Sequence, residues 1–139
     1  MIRSITAQDS AELQKFLKGA GSSLSSFRYF SSRDLNILDN HIVTLLYYSC
    51  ERGKVNPSGY AHLDKEGNII WLGICVTEEC KGQGIGTLLM EELVKIADEK
   101  QLSLRLSVDS DNLLAIKLYK KFGFKVYEEH AQTTFMNRE

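Results

Sequence analysis

The sequence predicts a mixed α/β fold in which an antiparallel N-terminal meander joins a parallel strand pair, with helices on both faces. Three observations predict it. Stretches rich in β-branched and aromatic residues recur between residues 42 and 76, separated by short turns. Ile85, Leu88, Leu89, Leu93, Ile96 and Ala97 then form one apolar stripe at helical spacing. Leu102, Leu104, Leu106 and Val108 alternate strictly, as a half-buried strand does. A strand, a long helix and a strand make a right-handed crossover, so the strands at 69–76 and 102–108 should run parallel.

The elements follow in order. Met1 to Ile5 reads as a first strand, and Thr6 with Asp9 fits a capping box. Ala11, Leu13, Phe16, Leu17 and Ala20 continue a helix that Gly19 and Gly21 close. Ser22 to Ser26 reads as a loop, and Ser32-Arg33-Asp34 as the cap of a short helix through Leu38. Ile42 to Tyr48 is the next strand. Asn56-Pro57-Ser58-Gly59 is expected to turn the chain into Tyr60 to Leu63, and Asp64 to Asn68 to turn it again into Ile69 to Val76. Beyond the crossover, Ala115, Leu118, Tyr119 and Phe122 mark a last helix closed by Gly123. Short strands near Phe124 to Tyr127 and Thr133 to Met136 finish the chain.

A chain of 139 residues is the size of one domain, spanning 1–139. Its 17 basic and 18 acidic residues leave a net charge of -1, without the basic patch a nucleic-acid binder needs. No apolar run approaches the roughly 20 residues that cross a bilayer, and no secretory signal opens the chain. A cytoplasmic protein with neither nucleic-acid nor membrane partner is expected. Cys50, Cys75 and Cys80 match no metal-ligand spacing, so free thiols and no metal are expected.

Lys81-Gly82-Gln83-Gly84-Ile85-Gly86-Thr87 stands between a strand and the long helix. Glycines there allow a tight turn and aim backbone N–H groups at a helix N-terminus, which suits a diphosphate. A P-loop would end in Gly-Lys-Ser/Thr, which is missing. A dinucleotide fingerprint would want glycine where Thr87 stands; Asp109 keeps that reading as a competitor, but only one crossover unit exists.

From Ile69 to Phe124 the chain resembles the acetyl-CoA-binding core of the GNAT acetyltransferase superfamily. Lys81 to Gly86 resembles that family's Gln/Arg-x-x-Gly-x-Gly/Ala, with Lys81 in place of the forked or amide side chain. Asn112 to Phe124 is similar to its Asn-x-x-Ala-x-x-Leu-Tyr-x-x-x-Gly-Phe at every marked position. The resemblance implies a GNAT-like fold whose parallel strands splay to hold acetyl-CoA as cosubstrate, with no metal. It implies that the backbones of Ile74, Cys75 and Val76 bond the pantetheine arm. Gln83 to Thr87, with Lys81 and Gly82 beside them, would take the pyrophosphate, and Asn112 the pantetheine region. The N–H of Ile74 would face the oxyanion that develops at the thioester.

The implied function is acetyl transfer to a primary amine by direct attack in a ternary complex. The alternatives are a silent acyl-CoA-binding or sensing module and a dinucleotide-binding module. Tyr119 matches the tyrosine that protonates the leaving thiolate and lies on the helix face of Asn112. The base is open between His62, a loop glutamate (Glu78 or Glu79) and water. If the 64–68 turn sets the register, His62 pairs across from Ile70, where one branch of the family has glutamate. In the segment expected to face the acceptor, Arg28 suits an anionic group and Tyr29, with Phe27 and Phe30, an apolar or sugar face. A small amine metabolite, with a lean towards an acidic one, is expected over a protein acceptor, with the enzyme a monomer or homodimer.

Overall fold

A computed structural model describes residues 1–139, the side chain of Glu51 excepted. Seven strands form one mixed sheet in the order β1-β2-β3-β4-β5-β7-β6. They are β1 (Ile2–Ser4), β2 (His41–Glu51), β3 (Lys54–Glu66), β4 (Ile69–Val76), β5 (Leu104–Asp109), β6 (Lys125–Glu129) and β7 (Thr133–Arg138). Three α-helices join them: α1 (Ser10–Gly19), α2 (Ile85–Glu99) and α3 (Leu113–Lys121). The predicted capping box is present, with Thr6 accepting from Gln8 N–H and Asp9 accepting from Thr6 N–H. The segment after α1 is a series of 3-10 turns, and Asp34 caps the last of them, Leu35–Asn40.

The meander differs from expectation at both turns. The β2–β3 turn falls at Arg52-Gly53, where φ values of 52° and 78° match a two-residue hairpin turn whose twist suits the flanking strands. Asn56 to Gly59 lies inside β3. Tyr47 pairs with Gly59 and Tyr48 with Pro57, leaving Ser58 as an extra bulged residue. Proline lacks the N–H a regular ladder needs, so it sits at the irregularity rather than ending the strand. The β3–β4 turn is only Gly67-Asn68, with Glu66 opposite Ile69. Asp64 therefore belongs to the strand and not to a turn.

Two apolar layers hold the helices to the sheet. On one face Ile85, Leu89, Leu93 and Ala97 of α2 pack with Leu63, Leu72, Leu104, Leu106, Tyr119 and Met136. Four members of the stripe predicted for α2 supply these contacts, whereas Leu88 is exposed and Met90, outside the predicted stripe, is buried; burying each large side chain contributes roughly 1.5–3 kcal/mol. On the other face Leu13 and Phe16 of α1 pack with Leu46, Tyr60 and Cys75. Strand alternation divides β4 between the layers: Ile70 and Leu72 turn towards α2, while Cys75 turns towards α1. The parallel β4–β5 pair is present as predicted, but its only register pair is Trp71↔Arg105. Beyond that point the two strands part.

Candidate active site

The gap between β4 and β5 opens into a cavity of about 850 Å³ that reaches from the glycine loop to the 3-10 segment after α1. Its backbone chemistry follows from the ladder. Thr77 N–H donates to Ser58 C=O on β3 at 2.9 Å, so odd-numbered β4 residues direct their N–H and C=O towards β3. Leu72, Ile74 and Val76 direct theirs towards β5, which offers no pairing beyond Trp71. The N–H groups of Ile74 and Val76 therefore face the gap, whereas Val76 C=O accepts from Ser23 Oγ at 2.6 Å. Cys75, expected among the bonding groups, spends its backbone on Tyr60 across the ladder. Its thiol turns to the α1 layer, where burial pushes its pKa up to about 12.

At the wide end the glycine loop behaves as its sequence predicts. Gly82 and Gly84 have φ of 81° and 82°, the left-handed region where glycine carries no penalty. A Cβ at either would meet no atom within 4 Å, so the loop backbone is open to a ligand. Gly84 caps α2 without a side-chain hydrogen bond, which leaves the first N–H groups of α2 for an anion. Lys81 lies 3.6 Å from Glu78, and both side chains are more than half exposed. Asn112 caps α3 by accepting from Ala115 N–H at 3.3 Å, and it lines the same cavity. These groups fit a diphosphate followed by an extended, amide-bearing arm.

Tyr119 projects from α3 into the gap from the α2 side. It is 7% exposed and lines the cavity. Burial raises its pKa above the ordinary 10.0, with the neighbouring Cys75 adding to the shift. The group thus stays protonated and able to donate.

The opposite side of the sheet holds a polar network within an aromatic shell. His62 lies opposite Gly73, three places from the Ile70 pairing the sequence suggested, because the turn is two residues long. Its ring covers Gly73, and its Nδ1 is 2.7 Å from the hydroxyl of Tyr60. Only 2% exposed, it has a pKa well below 6.5, chiefly through burial and then through His41. Tyr29 donates to Asp64 Oδ2 at 2.7 Å and lies 2.8 Å from His41 Nε2, while His41 Nδ1 meets Thr44 Oγ1 at 2.8 Å. The ring centroids of Tyr29 and His62 are 4.3 Å apart.

The remaining candidates sit at the margins. Glu78 accepts from Ser22, and that bond, followed by Lys81, lowers its pKa; it stands on the exposed rim. Arg28, 60% exposed, bridges to Asp109 at 3.1 Å and donates to Ser25 C=O, so its charge is already balanced at the cavity mouth. Asp64 and Trp71, missed in the sequence, also line the cavity. The alternation of Tyr60, His62 and Asp64 was the available signal, since it puts all three on one face of β3.

Comparison with known proteins agrees with this fold. Residues 13–124 match the model of the acetyltransferase (GNAT) family. A 56-residue stretch is 39% identical to the L-amino acid N-acetyltransferase AaaT of Escherichia coli; it covers 39% of this chain and 35% of that protein, about a third of the relative's length. Among solved structures, PaiA N-acetyltransferase from Thermoplasma acidophilum, in complex with coenzyme A, superposes with a TM-score of 0.74 at 20% identity, covering 100% of this chain and 98% of that one. The ribosomal-protein-S18-alanine N-acetyltransferase from Escherichia coli gives 0.71 at 20% identity, covering 99% of this chain and 92% of that one. These two likenesses show the fold, and the match over residues 13–124 shows the family. The chain belongs to the GNAT acetyltransferase family.

Proposed function

We propose that, as a member of the GNAT family, this chain transfers the acetyl group of acetyl-CoA to a primary amine by direct attack within a ternary complex. The carrying observation is that β4 and β5 pair once, at Trp71↔Arg105, and then part beside the N-terminus of α2, where the Gly84 cap supplies no side-chain hydrogen bond. Tyr119 reaches the resulting cavity from the α2 side and His62 from the other. Acetyl-CoA would lay its pyrophosphate at Gly82–Thr87 and its pantetheine along the free N–H groups of Ile74 and Val76. The Ile74 N–H would then polarise the thioester carbonyl at no reorganisation cost.

The amine nitrogen attacks the thioester carbon, and the carbon–sulfur bond breaks. The proton of the attacking nitrogen passes to His62 Nε2, the ring nitrogen not engaged by Tyr60. The departing thiolate takes the proton of Tyr119. The depressed pKa of His62 keeps that nitrogen unprotonated at neutral pH, and the raised pKa of Tyr119 keeps its proton in place. The acceptor enters over Gly73, under the 3-10 segment carrying Phe27, Arg28 and Tyr29, with the Arg28–Asp109 bridge at the mouth. We place a small amine there in preference to a protein chain, since that segment covers the cavity floor. Incubation with acetyl-CoA and a panel of amines should release free thiol only when an amine is present, with one N-acetylated product per thiol.

A further inference from the structure

Asp64 holds a charge-bearing group in a place that ought to be costly. It is 2% exposed, and its Oδ1 is the one buried side-chain polar atom without a hydrogen-bond partner among the described residues. An unsatisfied buried carboxylate oxygen is tolerated only where something else meets it. Oδ2 is already committed to Tyr29. The two nearby arginines are committed as well, Arg28 to Asp109 at 3.1 Å and Arg33 to Glu66 at 3.8 Å. Arg33 is further held by stacking 4.3 Å over the Tyr29 ring.

The surroundings of Asp64 suit a cation. It lies directly across the ladder from Trp71, whose ring meets Phe135 edge-on at 6.5 Å, and Trp71, Phe135 and Tyr29 all line the cavity with it. Aromatic faces around a carboxylate attract ammonium and guanidinium groups. The uncompensated charge of the groove is therefore negative, the reverse of the acidic acceptor that Arg28 suggested in the sequence.

We infer that Asp64 is the subsite for a second positive charge on the acceptor, so that the favoured acceptor is a diamine or a comparable dicationic amine. This rests on the reading that acceptors are acetylated beside Ile74. Trp71, the partner of Asp64, is three residues from Ile74 along β4. At strand rise that offset is about 10 Å, which separates the reacting nitrogen from the second cation by roughly the length of an extended seven-carbon chain.

The test is calorimetric binding to the CoA-saturated chain, with diaminoheptane and heptylamine as probes. The wild type should bind the diamine at least about tenfold more tightly than the monoamine, one tenfold step being about 1.4 kcal/mol. Asp64→Asn should remove that preference while CoA affinity, measured by titrating CoA into the free chain, stays within twofold of wild type. Equal binding of the two probes by the wild type, which needs no variant, overturns the inference. So does a diamine preference that survives in Asp64→Asn. Because binding is read without turnover, failure here is distinct from failure of acetyl transfer itself, which thiol release reports.

Discussion

The imidazole of His62 lies so close over Gly73 that a Cβ at position 73 would come within 2.5 Å of its Nε2. Glycine is required there for room, since Gly73 is in regular strand pairing with His62. Gly73→Ala should push the ring from the cleft while leaving the glycine loop untouched. A shift on the order of 1 Å in a catalytic group can cost roughly 100-fold in rate. The expected result is a kcat lowered by about that factor with acetyl-CoA affinity retained. An unchanged kcat would mean the position of His62 does not matter to the reaction.

Tyr119→Phe removes only the hydroxyl from a buried ring, so the fold should hold. Loss of a general acid typically costs about 100- to 10,000-fold, and kcat should fall within that range while acetyl-CoA binds as before. The raised pKa adds a second expectation for the wild type. The protonated form is the working form, so no alkaline loss of rate due to this group should occur until pH exceeds the ordinary tyrosine value of 10.0. A Tyr119→Phe rate equal to wild type would leave the residue with packing alone.

His41 and His62 both have pKa values below the ordinary 6.5, in each case chiefly because of burial. Between the folded and unfolded values the unfolded chain binds more protons, so stability rises with pH there. The contribution is complete above pH 6.5 and is lost as pH falls below it. The thermal midpoint should drop steeply below pH 6.5, and His62→Gln should flatten that drop. A midpoint constant from about pH 7 down to pH 5 would contradict neutral burial of both rings.

The anion site is tested best at Gly86. Gly84→Glu would add a negative charge but also strain, since Gly84 has φ of 82°. Gly86 has no such constraint, and a Cβ there would meet only Leu118 at 3.6 Å and Val76 at 4.0 Å, ordinary contacts. Gly86→Glu should therefore keep the thermal midpoint near wild type and abolish acetyl-CoA binding in a direct titration. Retained binding would move the pyrophosphate away from α2.

Legibility in the sequence followed the range of the signals. The glycine loop, the α2 stripe and Asn112 to Phe124 are local patterns, in which one short stretch specifies both geometry and chemistry. The residues expected to hold the cofactor were read from these patterns, whereas the direction of a strand amide depends on pairing, as at Cys75, which pairs with Tyr60. The expected acceptor wall depends on register across two turns. Asn56-Pro57-Ser58-Gly59 is made up wholly of turn-favouring residues, yet it forms a bulge within β3, and the actual turn is the plainer Arg52-Gly53. Taking Asp64 for a turn residue moved His62 opposite Ile70 and hid the buried carboxylate altogether. A three-residue error in one hairpin was enough to misplace the whole wall.

Direct reaction of an amine with acetyl-CoA between Tyr119 and His62 is measured by thiol release coupled to product mass. With acetyl-CoA and a suitable amine, one thiol and one N-acetylated amine should form per turnover, and no stable acetyl-enzyme should form when the amine is left out. Failure to bind acetyl-CoA at millimolar concentration, or tight binding with no thiol released by any amine in the panel, would contradict it.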